Sequence, residues 1–303
     1  NMDSLEHKDT EKQITRILSI IVLFSMLVFL FLDTGFNVNT RYFQGVLNHP
    51  QAFGMTAAAL SAIFIGQLFD QNRSTLFLVI MIILCISLTI ISGSRTAGAA
   101  LLLAVIISSL IFMTPIIKKI KSLSYISRDK SFFLLGFFIL IILSFNNVYD
   151  VMSGFITKTN EVSVGSIINA YKISRGVLYI PMIDNILESP LKGIGFGLAS
   201  DLTNMDIKYF KGIPVSAPIE KGILPLAILE EVGVFGFIFF MIWILILIRL
   251  AINNSFRTLI VLLTILLFNL GEAGLFSANG YGMLYLIIIT SVVVKPKLIK
   301  NTN

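Results

Sequence analysis

The chain has one cysteine, Cys85, and two histidines, His7 and His49. A single cysteine excludes an internal disulfide. So few thiol and imidazole ligands also exclude an ordinary His/Cys metal site, and no acidic cluster with metal-ligand spacing stands in for one. Charge is equally scarce. Only 13% of residues are Asp, Glu, Lys or Arg, about half the share of a soluble domain. There is no internal repeat and no low-complexity tract. The formal charge of +6 does not indicate nucleic acid, because the basic residues are scattered between apolar blocks. No metal, no cofactor and no nucleic-acid partner is therefore expected.

Apolar sequence is abundant. Hydrophobic residues make up 56% of the chain and fall in blocks of the length that crosses a bilayer, about 20 residues. Eight candidate spans emerge, at approximately 15–32, 52–69, 75–92, 96–117, 132–148, 223–248, 257–271 and 281–294. A lipid-exposed backbone must satisfy its own hydrogen bonds, so each is expected to be a helix. The expected fold is all-α: one polytopic membrane domain over 1–303, with a long outer loop over 149–222. Residue 1 is Asn rather than Met, and the expectation is of a chain lacking an N-terminal portion that holds further spans.

The basic residues set the orientation. With the N-terminus inside, Lys8, Lys12, Arg16 and Arg73 fall on the inner side, as does the run from Lys118 to Lys130. Both termini are then cytoplasmic, and the short outer loops hold only Arg41 and Arg95. The first apolar block follows a mixed polar head and lacks a small-residue cleavage pattern, so no cleavable signal is read. Within the long loop, Ile167, Ile168, Tyr171, Val177, Leu178, Ile183, Ile186 and Leu187 give a partly helical apolar pattern. It predicts a helix at the membrane surface, broken by Gly193, Gly195 and Gly197.

Three arginines share the outer face in this topology: Arg41, Arg95 and Arg175. A guanidinium stays charged and presents a planar fork of donors suited to phosphate oxygens. An arginine flanking a span also serves simply as a snorkelling anchor. Arg95 is the strongest candidate, because Ser92, Gly93, Ser94, Thr96, Ala97 and Gly98 around it are small and allow close approach. Carboxylates form the second group. Glu230 and Glu231 lie in an otherwise apolar stretch, where they need a polar cavity or a charged partner. Glu220 and Lys221 precede that stretch, and Glu272 ends the seventh span. A carboxylate here would act as a general base toward a hydroxyl or form a structural ion pair, for example with one of the arginines. His49, just before Pro50, reads as a catalytic candidate or, more simply, as a cap or turn residue.

These segments, in order, resemble the O-antigen ligase/polymerase superfamily, the Wzy-type membrane glycosyltransferases. The resemblance rests on Arg41, Gly45, His49 and Pro50; on Ser94, Arg95 and Thr96; on Arg175 followed by Pro190, Leu191, Gly193, Gly195 and Gly197; and on Leu226, Leu229, Glu231, Gly233 and Gly236. It spans roughly residues 41–236. It implies a GT-C-like helical fold in a bacterial inner (plasma) membrane, with an extracytoplasmic site. It implies a donor and an acceptor glycan on undecaprenyl diphosphate, in contact with membrane lipid, with a flippase and a chain-length regulator as candidate partners. Arg41, Arg95 and Arg175 would hold the diphosphate, and Glu231, or Glu220 in its place, would activate the acceptor. Many ligases of the superfamily carry a histidine where this chain has Gly222. The resemblance therefore favours a metal-independent polymerase of repeat units over a ligase acting on lipid A core or protein. A transporter or flippase of lipid-linked sugars is the alternative of another class.

Overall fold

The computed structural model describes residues 2–31, 35–37, 42–47, 49–70, 75–113, 177–197, 208–210, 213–216, 221–276 and 281–293. Eight helices appear among them: α1 (Met2–Phe31), α2 (Pro50–Asp70), α3 (Thr75–Ile91), α4 (Arg95–Met113), α5 (Val177–Glu188), α6 (Leu224–Asn254), α7 (Phe256–Phe268) and α8 (Tyr281–Val292). Four segments are long and apolar enough to cross a membrane: Thr10–Phe31, Pro50–Phe69, Arg95–Phe112 and Leu224–Asn254. Leu76–Ile91, Phe256–Phe268 and Gly282–Val292 are shorter apolar helices. The chain is thus a helical, membrane-embedded protein, as its apolar blocks require. The expected span at 132–148 lies outside the described residues. One element was not expected: a short antiparallel pair, β1 (Lys208–Phe210) with β2 (Ile213–Ser216), inside the long loop.

The chain divides into two compact units. The first holds α1 to α4, α7, the end of α6 and most of α8. Its hub is α2, which α1, α3, α4 and α7 all contact. Of the α2 span, 83% is buried, so this helix faces protein rather than lipid on nearly every side. Its sequence explains the position. Ala52, Ala57, Ala58, Ala59, Ser61 and Ala62 are buried, and such small side chains let neighbouring helices approach closely where apolar bulk gives no advantage over lipid. The outer helices keep their large side chains outward. Leu76, Phe77, Ile80 and Ile83 of α3 are exposed, the surface a bilayer would cover.

Several threonine hydroxyls inside these helices are satisfied within the same segment. Thr15, Thr56, Thr89 and Thr264 each donate to the carbonyl four residues earlier, so an alcohol costs little at that depth. The start of α7 is capped reciprocally. Ser255 Oγ accepts from the Thr258 amide at 3.3 Å, and Thr258 Oγ1 accepts from the Ser255 amide at 3.0 Å, which satisfies two donors that a helix start leaves orphaned. Next to this cap, the buried Arg257 pairs with Glu11 of α1. Phe268 and Tyr285 join α7 to α8, their ring centroids 4.8 Å apart.

The second unit covers residues 149–246 and 269–283. It contains α5, the β pair and most of α6. The stretch read as one uninterrupted span over 223–248 is two helical pieces, because Gly233 has φ 63° and ψ −170°. The piece from Val234 to Asn254 keeps roughly 20 residues, enough to cross a bilayer by itself. The piece before it is short, and it carries both carboxylates. The amide of Leu224, at its start, donates to the Asn269 carbonyl at 3.0 Å. The Asn269 side chain in turn accepts from Gly274 and Leu275 at 2.9 and 2.8 Å.

A carboxylate pair at a broken helix

A helix interrupted at Gly233 forfeits the bonds that Val234 and the next residue would donate to the carbonyls of Glu230 and Glu231. The loop after α5 replaces them. Ile194 N–H donates to the Glu230 carbonyl at 2.9 Å, and Gly195 N–H to the Glu231 carbonyl at 3.0 Å. The Val234 amide, released from its helical acceptor, donates to the Pro190 carbonyl at 2.9 Å. These bonds pair again the Glu230 and Glu231 carbonyls and the Val234 amide, as a break within an apolar segment requires. The close approach depends on two glycines. Gly193 has φ 71°, and a Cβ there would collide with the Glu231 carbonyl group. A Cβ on Gly233 would collide with the backbone of Leu191.

Both positions therefore combine a left-handed backbone with a missing side chain. Gly233→Ala and Gly193→Ala are each expected to lower the thermal unfolding temperature of the purified protein, because strain at positive φ alone costs about 1–3 kcal/mol and backbone cannot yield as a side chain does. Gly197→Ala is the control: its φ is also positive, but nothing lies within 4 Å, so only the strain should register. Equal losses at all three positions would show that the docking contact contributes nothing.

Three charged side chains meet just ahead of the break. Lys221 Nζ donates to Glu230 Oε2 at 2.8 Å and lies 2.9 Å from Glu231 Oε1. Asn185 Nδ2, from α5, donates to Glu230 Oε1 at 2.7 Å. Glu230 is fully buried, whereas Lys221 retains 4% exposure and Glu231 8%. Adjacent helical residues point about 100° apart. Both carboxylates still reach one ammonium, since Lys221 sits just before α6 with a long, flexible stem. The partner of the carboxylates is this lysine rather than an arginine. Glu231 keeps the more accessible edge; Glu230 is fixed from two sides.

The other candidates are placed as follows. Arg95 opens α4 in the first unit, half-buried, beyond a tight turn in which its amide donates to the Gly93 carbonyl at 3.1 Å. The surrounding Ser92, Ser94 and Ala97 are buried. His49 is exposed directly ahead of α2, and its carbonyl accepts the Phe53 amide at 3.1 Å, the position of a helix cap. Glu272 is buried in the turn after α7, where its carbonyl accepts from Gly274 at 2.8 Å. Arg41, Arg175 and Glu220 lie outside the described residues. The sequence reading missed Asn185. Its only sequence signal is helical period: Met182, Asn185 and Ser189 fall on one face of α5, and Met182 is fully buried.

No protein-family model, curated protein or solved structure matches the chain.

Proposed function

We propose that the chain is a membrane glycosyltransferase that polymerises lipid-diphosphate-linked oligosaccharide repeat units, for O-antigen, capsule or exopolysaccharide, at the outer face of a bacterial inner membrane. The observation that carries this reading is the buried Lys221–Glu230–Glu231 cluster at an interrupted helix. Irregular backbone inside an apolar segment is tolerated where it lines a cavity or site. Charged side chains in such a place are expensive and are a mark of function. A carboxylate held by a lysine, with one edge accessible, suits the activation of an acceptor hydroxyl.

In this mechanism Glu231 takes the acceptor proton as the hydroxyl oxygen bonds to the anomeric carbon of the donor. The bond from that carbon to the diphosphate oxygen breaks, and the undecaprenyl diphosphate leaves with the electron pair. Arg95, together with Arg41 and Arg175, would neutralise the growing negative charge on the leaving group. Lys221 would keep Glu231 oriented, and Glu230 with Asn185 would keep Lys221 in place. The GT-C-like fold and the outer orientation belong to the same proposal, supported by the order of the motifs and the inner-side basic run.

The test is direct. The purified protein in vesicles, given undecaprenyl-diphosphate-linked repeat units, is expected to yield a ladder of longer lipid-linked chains. Transfer of existing chains onto added lipid A core, without elongation, would make it a ligase. Movement of unaltered units across the bilayer, without either product, would make it a transporter.

A further inference from the structure

One face of α5 remains unexplained by the carboxylate site. At about 100° per residue, Ile180, Ile183 and Leu187 fall in one stripe, opposite the face that carries Met182, Asn185 and Ser189. The stripe is exposed: Ile180 by 64%, Ile183 by 46% and Leu187 by 73%. Leu191, one turn further on, is exposed by 56%. Asp184 and Glu188 are exposed beside it, so the apolar band has a charged border. Pro181 sits in the second turn, where its missing amide removes at most one helical bond.

The chemistry of what covers this stripe follows from where it leads. Pro190 is hydrogen-bonded to Val234, and the backbone of Leu191 abuts Gly233. The end of the stripe is therefore joined to the start of the spanning part of α6, where Val234, Phe235, Ile238 and Phe239 are also exposed. Only 11% of that span is buried, so its apolar surface faces hydrocarbon. An exposed apolar face joined at its end to the start of a spanning helix shares that helix's solvent. Yet α5 has 12 residues, about 18 Å, and cannot cross a hydrocarbon core of about 30 Å.

We infer that α5 is an interfacial helix whose Ile180–Ile183–Leu187–Leu191 stripe lies in the acyl-chain boundary of the bilayer, and that it fixes the depth of the Lys221–Glu230–Glu231 cluster. The second part follows from the first, because the loop bonded to the Glu230 and Glu231 carbonyls is the direct continuation of α5. The cluster then sits at headgroup level, open to a polar group carried by a lipid. This goes beyond glycosyl transfer and does not depend on it; any reaction at the site would inherit the same depth.

The experiment places a fluorescent nitrobenzoxadiazole label on single cysteines in the full chain, in a Cys85→Ala background, reconstituted in phosphatidylcholine/phosphatidylglycerol vesicles. The positions are Ile183→Cys, Leu187→Cys, Glu188→Cys and Phe196→Cys, all exposed and outside the charged cluster. Nitroxide lipids with the quencher near the carbonyl end are expected to quench labels at 183 and 187 about threefold more than the label at 188, as burial of one helix face by about 5–10 Å implies. Aqueous iodide should give the reverse order. The label at 196, beside Gly195, should respond more to shallow than to deep nitroxides. Iodide quenching at 183 and 187 equal to that at 188 would place the stripe in water. Protection of 183 and 187 from both quenchers would mean that protein, a partner or a second copy, covers it. Either result overturns the inference, and deep quenching at 196 overturns the depth assignment. All of these readouts are independent of whether polymer is made.

Discussion

On the proposed mechanism, Glu231→Gln is expected to cut polymer formation by about 10²–10⁴-fold, the usual share of general base catalysis, while the protein still inserts and donor binding is unchanged. The amide matches the carboxylate in size and is easier to place in an apolar setting. It leaves the Lys221–Glu230 and Asn185–Glu230 contacts intact. The measurement is the rate of chain extension by purified variants at equal protein. Glu230→Gln is not a silent control, since Glu230 is fully buried between two donors; its effect should show in thermal stability as well as rate. Full activity of Glu231→Gln with loss in Glu220→Gln would move the base to Glu220. Full activity of both would end the general-base assignment.

The second large effect is on stability. Lys221→Met should destabilise the protein by about 3–5 kcal/mol, the cost of leaving a buried charge without its partner. Two carboxylates lose their shared cation at once, and neither has much water to turn to. Combining Lys221→Met with Glu230→Gln and Glu231→Gln should recover most of the loss, because a neutral cluster has no unpaired charge to bury. Thermal unfolding in detergent, followed for the single and the combined variants, decides the matter. A single variant as stable as the parent, or a triple variant no better than the single, would show that the ammonium does not hold the cluster together.

The helices were legible because the physics that makes them is local. A bilayer-length apolar block must be helical, and α2, α3 and α4 begin and end within a few residues of the blocks that announced them. The site was legible in part. Two adjacent acids in an apolar run signal an unusual environment, but the cation expected for them was an arginine, whereas it is Lys221, nine positions before Glu230. The kink was not legible. A glycine between valines in an apolar run fits a straight helix as well as a bent one, and its conformation is decided by Gly193, some 40 residues away. Asn185 was hidden for the same reason: its partner is distant in sequence, and an asparagine next to Asp184 reads as a solvated turn residue. Arg257 follows the long apolar block of α6, where a basic residue reads as a membrane-flanking charge. It is instead buried and paired with Glu11, a contact between the two ends of the chain that no local pattern discloses.

The loop that mends the kink also imposes an order on synthesis. Residues 190–195 leave the ribosome before residues 224–254, as any N-terminal segment must. When α6 enters the membrane, its own helical bonds form within the segment first, because they close over four residues while the bonds to Pro190, Ile194 and Gly195 close over about 40, an entropic handicap. A newly inserted α6 is therefore straight, with Glu230 and Glu231 carbonyls bonded along the helix. It bends only when the finished loop docks and exchanges those bonds for its own. The Asn185–Glu230 contact, which ties α5 to this helix, can therefore form only after both segments have been made.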